Sequence, residues 1–213
     1  MKQLIFDCDG VLVDTEIVAA KVMTELLQSY GIDIDTKDYI QKFTGKTFTT
    51  IFESFNLDPK RDIQEIAKSI EQKIYANLRE IPGMSDLLLA QHLPVSIVSN
   101  SATWQVKKAL QFLGIEKRIG SSYFSSEMVP RPKPYPDIYL KAAEYHDVVP
   151  GECLVIEDSI SGATAALTAG MPVIGFCGAS HIQTDHAEKL YEIGVSRVAF
   201  DAAELESAIQ ELS

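Results

Sequence analysis

Residues 4–16 read LIFDCDGVLVDTE, and this stretch decides how the rest of the chain is to be read. An apolar run stops at Asp7, a second acid follows at Asp9, and Gly10 permits a tight exit. A short apolar run without polar alternation suits a strand covered on both faces of a parallel sheet. Similar runs recur at 95–98 (VSIV), 123–125 (YFS), 153–156 (CLVI) and 173–176 (VIGF), with a short sixth expected at 198–200.

Between the later runs the spacing turns helical. Val106, Ala109, Leu110 and Leu113 share a face closed by Gly114. Ile138, Ala142 and Tyr145 share another after Pro136, and an Ala-rich segment at 163–169 stops at Gly170. Strand and helix alternate, which predicts an α/β fold with a mostly parallel sheet.

One interval breaks the rhythm. A crossover between parallel strands needs only about a dozen residues, yet the chain runs from Asp7 to Val95 before the next strand-like run. Three apolar faces fill it: Val22, Met23, Leu26, Leu27 and Tyr30; Ile51, Phe52 and Phe55; Ile63, Ile66, Ile70 and Ile74. Residues 16–80 are therefore expected to form an inserted helical domain, with 1–15 and 81–213 forming the α/β core.

The totals narrow the functional classes. Of 213 residues, 46% are hydrophobic, enough for a substantial core. The formal net charge of -11 argues against a broad nucleic-acid or anionic-membrane surface, but not against small anionic substrates met by a local Lys or Arg. No apolar run approaches the roughly 18 residues of a membrane span, and no secretory leader is evident. Cys8, Cys153 and Cys177 lie far apart in apolar runs and are expected to be buried free thiols. A soluble cytoplasmic protein is expected, a monomer or weak dimer.

Ligands of open α/β sheets bind beyond the carboxyl ends of the strands. Asp7 and Asp9 follow the first run, Ser99 and Asn100 the second, Lys133 lies after the third, and Glu157 and Asp158 follow the fourth. Alone, each has an ordinary structural explanation as turn former, helix cap or solvated loop residue. Together they suggest chemistry. Paired carboxylates hold a hard divalent ion such as Mg²⁺. A carboxylate can attack phosphorus, a lysine and a hydroxyl can stabilise phosphoryl oxygens, and a second acid can move the proton.

These residues resemble the motifs of the haloacid dehalogenase-like hydrolases, in their phosphatase branch: DCDGVLVD from Asp7, VSN from Val98, RPKPYPDIY around Lys133, and IEDSISGATAALTAG from Ile156. The resemblance covers essentially the whole chain. It implies a Rossmann-like parallel core with a small helical cap, close to the β-phosphoglucomutase, phosphoglycolate phosphatase and sugar-phosphate phosphatase group. Carried over, it makes Asp7 the phosphorylated nucleophile and Asp9 the proton donor and base. Mg²⁺ would bind to Asp7, Asp158 and the Asp9 carbonyl, with Glu157 supporting the site. Ser99 and Lys133 would hold the phosphoryl oxygens, Asn100 would line the pocket, Gly10 and Gly162 would serve geometry, with Gly10 at the substrate, and Asp14 would organise its loop.

The same resemblance separates a phosphatase from a mutase. The mutase pattern has a His in the first cap helix where this chain has Ala19. It has a Lys before, and an Arg three residues after, a cap-loop Gly, where FTGKTF gives Thr44 and Phe48 around Gly45. Hydrolysis of a small phosphorylated metabolite, such as a sugar phosphate or 6-phosphogluconate, is therefore expected over a phosphohexomutase or a non-catalytic phosphometabolite-binding protein. Asp9 also speaks against a dehalogenase, whose pattern lacks that acid. Lys46 is open to a substrate-binding or a surface role, and Phe48, Phe52 and Arg79 are further cap candidates. His181 and His186 have no standard metal-ligand spacing, so a loop contact and a helix start are expected there.

Overall fold

The structure, a computed structural model, describes residues 1–43, 46–57 and 63–212. The chain divides into two compact units, Met1–Val13 with Glu80–Ser213, and Asp14–Arg79. The first is built on six parallel strands: β1 (Gln3–Asp7), β2 (Val95–Ser99), β3 (Tyr123–Ser125), β4 (Cys153–Glu157), β5 (Val173–Phe176) and β6 (Arg197–Ala199). All residues of β1, β2, β4 and β5 are buried, as expected when helices cover both faces of a parallel sheet. β6 lies one residue earlier than the sequence suggests. Phe200, counted there as a strand residue, is exposed and follows the strand's end.

The strand order is β3-β2-β1-β4-β5-β6, the doubly wound Rossmann-like arrangement, in which the chain moves outward in both directions from the centre. The order reverses between β1 and β4, and ligands of such sheets sit at that switch point. Register then fixes who meets whom. Asp7 pairs with Val98 and Phe6 with Ile156, so Asp7, Ser99 and Glu157 end their strands at one edge.

Seven helices flank this sheet: α5 (Met84–Ala90), α6 (Thr103–Leu113), α7 (Glu116–Ile119), α8 (Asp137–Tyr145), α9 (Ile160–Thr168), α10 (His186–Glu192) and α11 (Ala202–Glu211). Local chemistry sets several ends. The Ser159 hydroxyl accepts from Gly162 N at 3.0 Å to start α9, and Gly114, at φ 68°, closes α6. On one face of the sheet, Ile5, Val98 and Val155 pack with Ile138, Tyr139 and the alanines of α9.

The second unit carries α1 (Thr15–Ser29), α2 (Thr36–Phe43), α3 (Phe48–Ser54) and α4 (Ile63–Ala76), and no strand among the described residues. Its core joins Val18, Met23, Leu27, Tyr39, Ile51, Phe52, Ile70 and Ile74. Periodicity misses α2 because eight residues with apolar Tyr39, Ile40 and Phe43 show little more than one turn of pattern. Phe52 is 1% exposed and meets Tyr30 edge-on at 5.9 Å, so it serves this core and does not face a ligand. Thr44 and Gly45 lie outside the described residues.

Candidate active site

The ends of β1, β2 and β4, with the loops that follow them and the β3–α8 loop, build the site. Asp7 is the last residue of β1, and Cys8, Asp9 and Gly10 turn away from it. Leu12 N and Val13 N donate to Cys8 O at 2.9 and 3.1 Å, and Gly10 N to Val13 O at 2.8 Å. Gly10 adopts φ +81°, and a Cβ there would stand 1.9 Å from Oδ2 of Asp158. A glycine is thus required both by the backbone and by the carboxylate it faces.

Lys133 reaches the same point from the β3–α8 loop. Its Nζ lies 2.5 Å from Oδ1 of Asp7 and 2.5 Å from Oε1 of Glu157, and all three side chains are buried. The loop is braced on both sides. Asn100 Nδ2 donates to Lys133 O at 3.1 Å while Asn100 Oδ1 accepts from Lys133 N at 3.0 Å. Arg131 forms a two-pronged bond to Asp137 at the start of α8, at 3.1 and 2.8 Å.

Glu157 is satisfied on both oxygens. Oε1 accepts from Lys133 and from Tyr139 Oη at 3.1 Å, and Oε2 from Ser159 N at 2.8 Å and Ser159 Oγ at 3.0 Å. A Cβ on Gly162 would lie 1.6 Å from that same Oε1. The small residue at the start of α9 exists to admit the carboxylate. Asp9 is held differently, by hydroxyls: Ser99 Oγ donates to its Oδ2 at 3.0 Å and Ser101 Oγ at 2.7 Å. Lys46 and Arg79 are both exposed and belong to the helical unit.

The electrostatics follow from burial. Desolvation pushes the Asp7 carboxyl well above the ordinary carboxylate range against the pull of Lys133, and Glu157, Asp158 and Asp9 add to the rise. Asp158 rises for the same reasons, burial first and Glu157 next. Burial disfavours the charge on Lys133, but Asp7 and Glu157 outweigh it and hold the ammonium above its ordinary value. One ammonium cannot offset three buried carboxylates. Asp7, Glu157 and Asp158 each place an oxygen within 4.8 Å of the others, a hard, oxygen-only donor set with negative charge left over. A divalent cation such as Mg²⁺ fits that set and would reverse the upward trend in the acids. Cys8 stands between Asp7 and Asp9, and burial, Asp9 and Asp7 raise its thiol well above the usual value, which disfavours the thiolate. Cys153 and Cys177 are buried free thiols as well.

The sequence reading placed Asp7, Asp9, Gly10, Ser99, Asn100, Lys133, Glu157 and Asp158 at this edge, and the structure brings them together there. It did not anticipate Ser101, Tyr139 and Ser159, which anchor the acids, nor the convergence of two histidines on one of them. His181 Nε2 lies 3.3 Å from Asp158 Oδ2, and His186 Nε2 bonds the Asp158 carbonyl. The only forward signals were the second serine of SNS and the serine directly after Asp158.

Sheet order, switch-point acids and buried lysine define a hydrolase core of one family. Residues 4–176 match the model of the haloacid dehalogenase-like hydrolases, and the chain belongs to that family. It is 27% identical to the 6-phosphogluconate phosphatase of Escherichia coli, covering 85% of each chain. It is 28% identical to the fructose-1-phosphate phosphatase of the same organism, covering 80% of this chain and 94% of that one. A solved haloacid dehalogenase-family hydrolase of Deinococcus radiodurans, with phosphate and sodium bound, superposes with a TM-score of 0.88 at 30% identity. The match covers 99% of this chain and 96% of that one. Among the described residues no helix is long and apolar enough to cross a membrane.

Proposed function

We propose that the protein is a Mg²⁺-dependent phosphomonoesterase that hydrolyses a small phosphorylated sugar or sugar acid through an aspartyl-phosphate on Asp7. The observation that carries this reading is the buried Lys133 ammonium, 2.5 Å from Asp7 and from Glu157, beside Asp158. Lys133 takes one oxygen of Asp7, and the other attacks phosphorus. The P–O bond to the sugar breaks as the acyl phosphate forms. Asp9, protonated at that point, gives its proton to the departing sugar oxygen. It then takes a proton from the water that opens the acyl phosphate, releasing inorganic phosphate and restoring Asp7.

Lys133 and Ser99 hold the phosphoryl oxygens, so the Ser99 hydroxyl turns from Asp9 to the substrate. Asn100 keeps Lys133 in place through its backbone, at the edge of the phosphate pocket. Gly10 lets the backbone approach the substrate. Asp7, Asp158 and the Asp9 carbonyl would hold Mg²⁺, with Glu157 steadying Lys133 and the start of α9. The bound ion supplies positive charge that lets an anionic substrate enter an acidic site. Residues 16–80 form the family's helical cap domain and 1–15 with 81–213 its core domain, and Lys46 and Arg79 are candidate contacts to the rest of the substrate. The sugar-phosphate assignment is supported by the names of the two Escherichia coli relatives, and the phosphate site by the ligand of the Deinococcus structure.

The test is phosphate release from a panel of phosphorylated sugars, sugar acids, phosphoglycolate and nucleotides, with Mg²⁺ and with EDTA. Mg²⁺-dependent release concentrated on one sugar phosphate or sugar acid is the expected result. Conversion of β-glucose 1-phosphate to glucose 6-phosphate without free phosphate would make the protein a phosphohexomutase instead. Tight binding without turnover or acyl phosphate would make it a binding protein.

A further inference from the structure

The loop between β5 and α10 has no part in the chemistry described above, yet it grips one of the acids at both ends. His181 Nε2 lies 3.3 Å from Oδ2 of Asp158, with the imidazole only 15% exposed, and His186 Nε2 meets the Asp158 carbonyl. A carbonyl and an ionised carboxylate only accept, so with Asp158 ionised this arrangement calls for a proton on Nε2 of each imidazole.

The loop is not free to wander. Cys177 N donates to Ala199 O at 2.8 Å, and Ile182 N to Ala179 O at 3.2 Å. A Cβ on Gly178 would stand 2.5 Å from Phe176 Cζ and 2.8 Å from Phe200 O, so the backbone there is packed as closely as it can be. His181 follows this closely packed stretch and reaches Asp158 from it. On its other side the same oxygen faces Gly10, where a side chain would stand 1.9 Å away. Oδ2 of Asp158 is held between a wall and a donor.

His181 is not itself one of the groups that could share an ion. Among the described residues that set is Asp7, Glu157 and Asp158. Its effect must run through Asp158. Resting on the metal-binding reading above, we propose that His181 is a positioning residue that fixes Asp158 through its Nε2–H and so raises the affinity of the acid cluster for a divalent cation. The physical reason is that a ligand carboxylate with one rotamer loses less freedom on binding. Donors behind metal ligands commonly change metal affinity by ~10–100-fold.

The experiment is Mn²⁺ binding to the full chain, followed by the loss of the free-ion electron paramagnetic resonance signal at one fixed pH, with Mg²⁺ as competitor. It needs no substrate and no turnover. The variants are His181→Leu, which removes the donor, and His181→Gln, whose amide N–H reaches a similar point; circular dichroism confirms that both fold. His181→Leu is expected to weaken Mn²⁺ about tenfold or more, and His181→Gln to stay within about threefold of the wild type. Unchanged affinity in His181→Leu overturns the proposal. So does an equal loss in both variants, which would assign the effect to packing of the ring. A wild-type protein that takes up no Mn²⁺ sinks the metal reading on which the inference stands, a result separate from either of these.

Discussion

Lys133 Nζ lies 2.5 Å from Asp7 Oδ1, although 126 positions separate the two residues in the chain. The contact is buried, and Glu157 shares the ammonium from the other side. Removing the lysine leaves the carboxylates facing one another without their cation. Lys133→Met is therefore expected to lower turnover at least ~10²-fold, as loss of one donor to a developing oxyanion does. It should also lower stability by about 3 kcal/mol when metal is absent, as when one member of a buried pair is removed. Steady-state kinetics and urea unfolding in EDTA measure the two effects.

Asp7→Asn changes little in shape and removes the attacking oxygen. Turnover is expected to vanish, with the circular dichroism spectrum unchanged. No acyl phosphate should be trapped by rapid acid quench, whereas the wild type should show one. Turnover near the wild-type rate in this variant would exclude Asp7 as the nucleophile.

Gly162→Ala tests whether α9 is shaped around Glu157. Alanine in a helix is favoured over glycine by up to ~1 kcal/mol. Here the added Cβ would sit 1.6 Å from a carboxylate oxygen that already accepts from Lys133 and Tyr139. Overpacking of this kind costs about 1–3 kcal/mol. The net effect is expected to be destabilising, read as a lower thermal midpoint together with reduced activity. A higher midpoint at full activity would show that Glu157 can move aside.

The crowded acids predict a specific pH dependence. Burial raises Asp7 and Asp158 in the folded state above their unfolded values near 3.8. The folded protein then binds more protons than the unfolded chain, so stability falls as pH rises through that window. Metal-free protein is expected to lose thermal stability as pH is raised above the unfolded carboxylate value near 3.8, and saturating Mg²⁺ should flatten the slope. Thermal scans in EDTA and in Mg²⁺ decide this, and a slope of equal size in both would detach the acids from the metal.

Much of the site was legible because its acids and lysine follow buried strands. CLVI is a continuous apolar run and VSIV is broken only by Ser96, and a polar residue directly after such a run has to emerge at the sheet's edge. The small helix α2 and the exact place of β6 were not, because three or four weakly patterned residues hold no period. Phe52 stood both on an apolar helix face and among the cap candidates for substrate contact, and it is core, because a helix face shows its side only once its neighbours are in place.

By itself the sequence determined which segments are buried strands and which polar residues end them, since burial on both faces writes a local apolar signature. Only the tertiary structure decided which side chains meet. Asn100 bonds the backbone of Lys133, Tyr139 closes on Glu157, and His181 and His186 converge on Asp158. These pairings depend on strand register and loop path, which are fixed by packing between residues distant in the chain and leave no period or spacing to read.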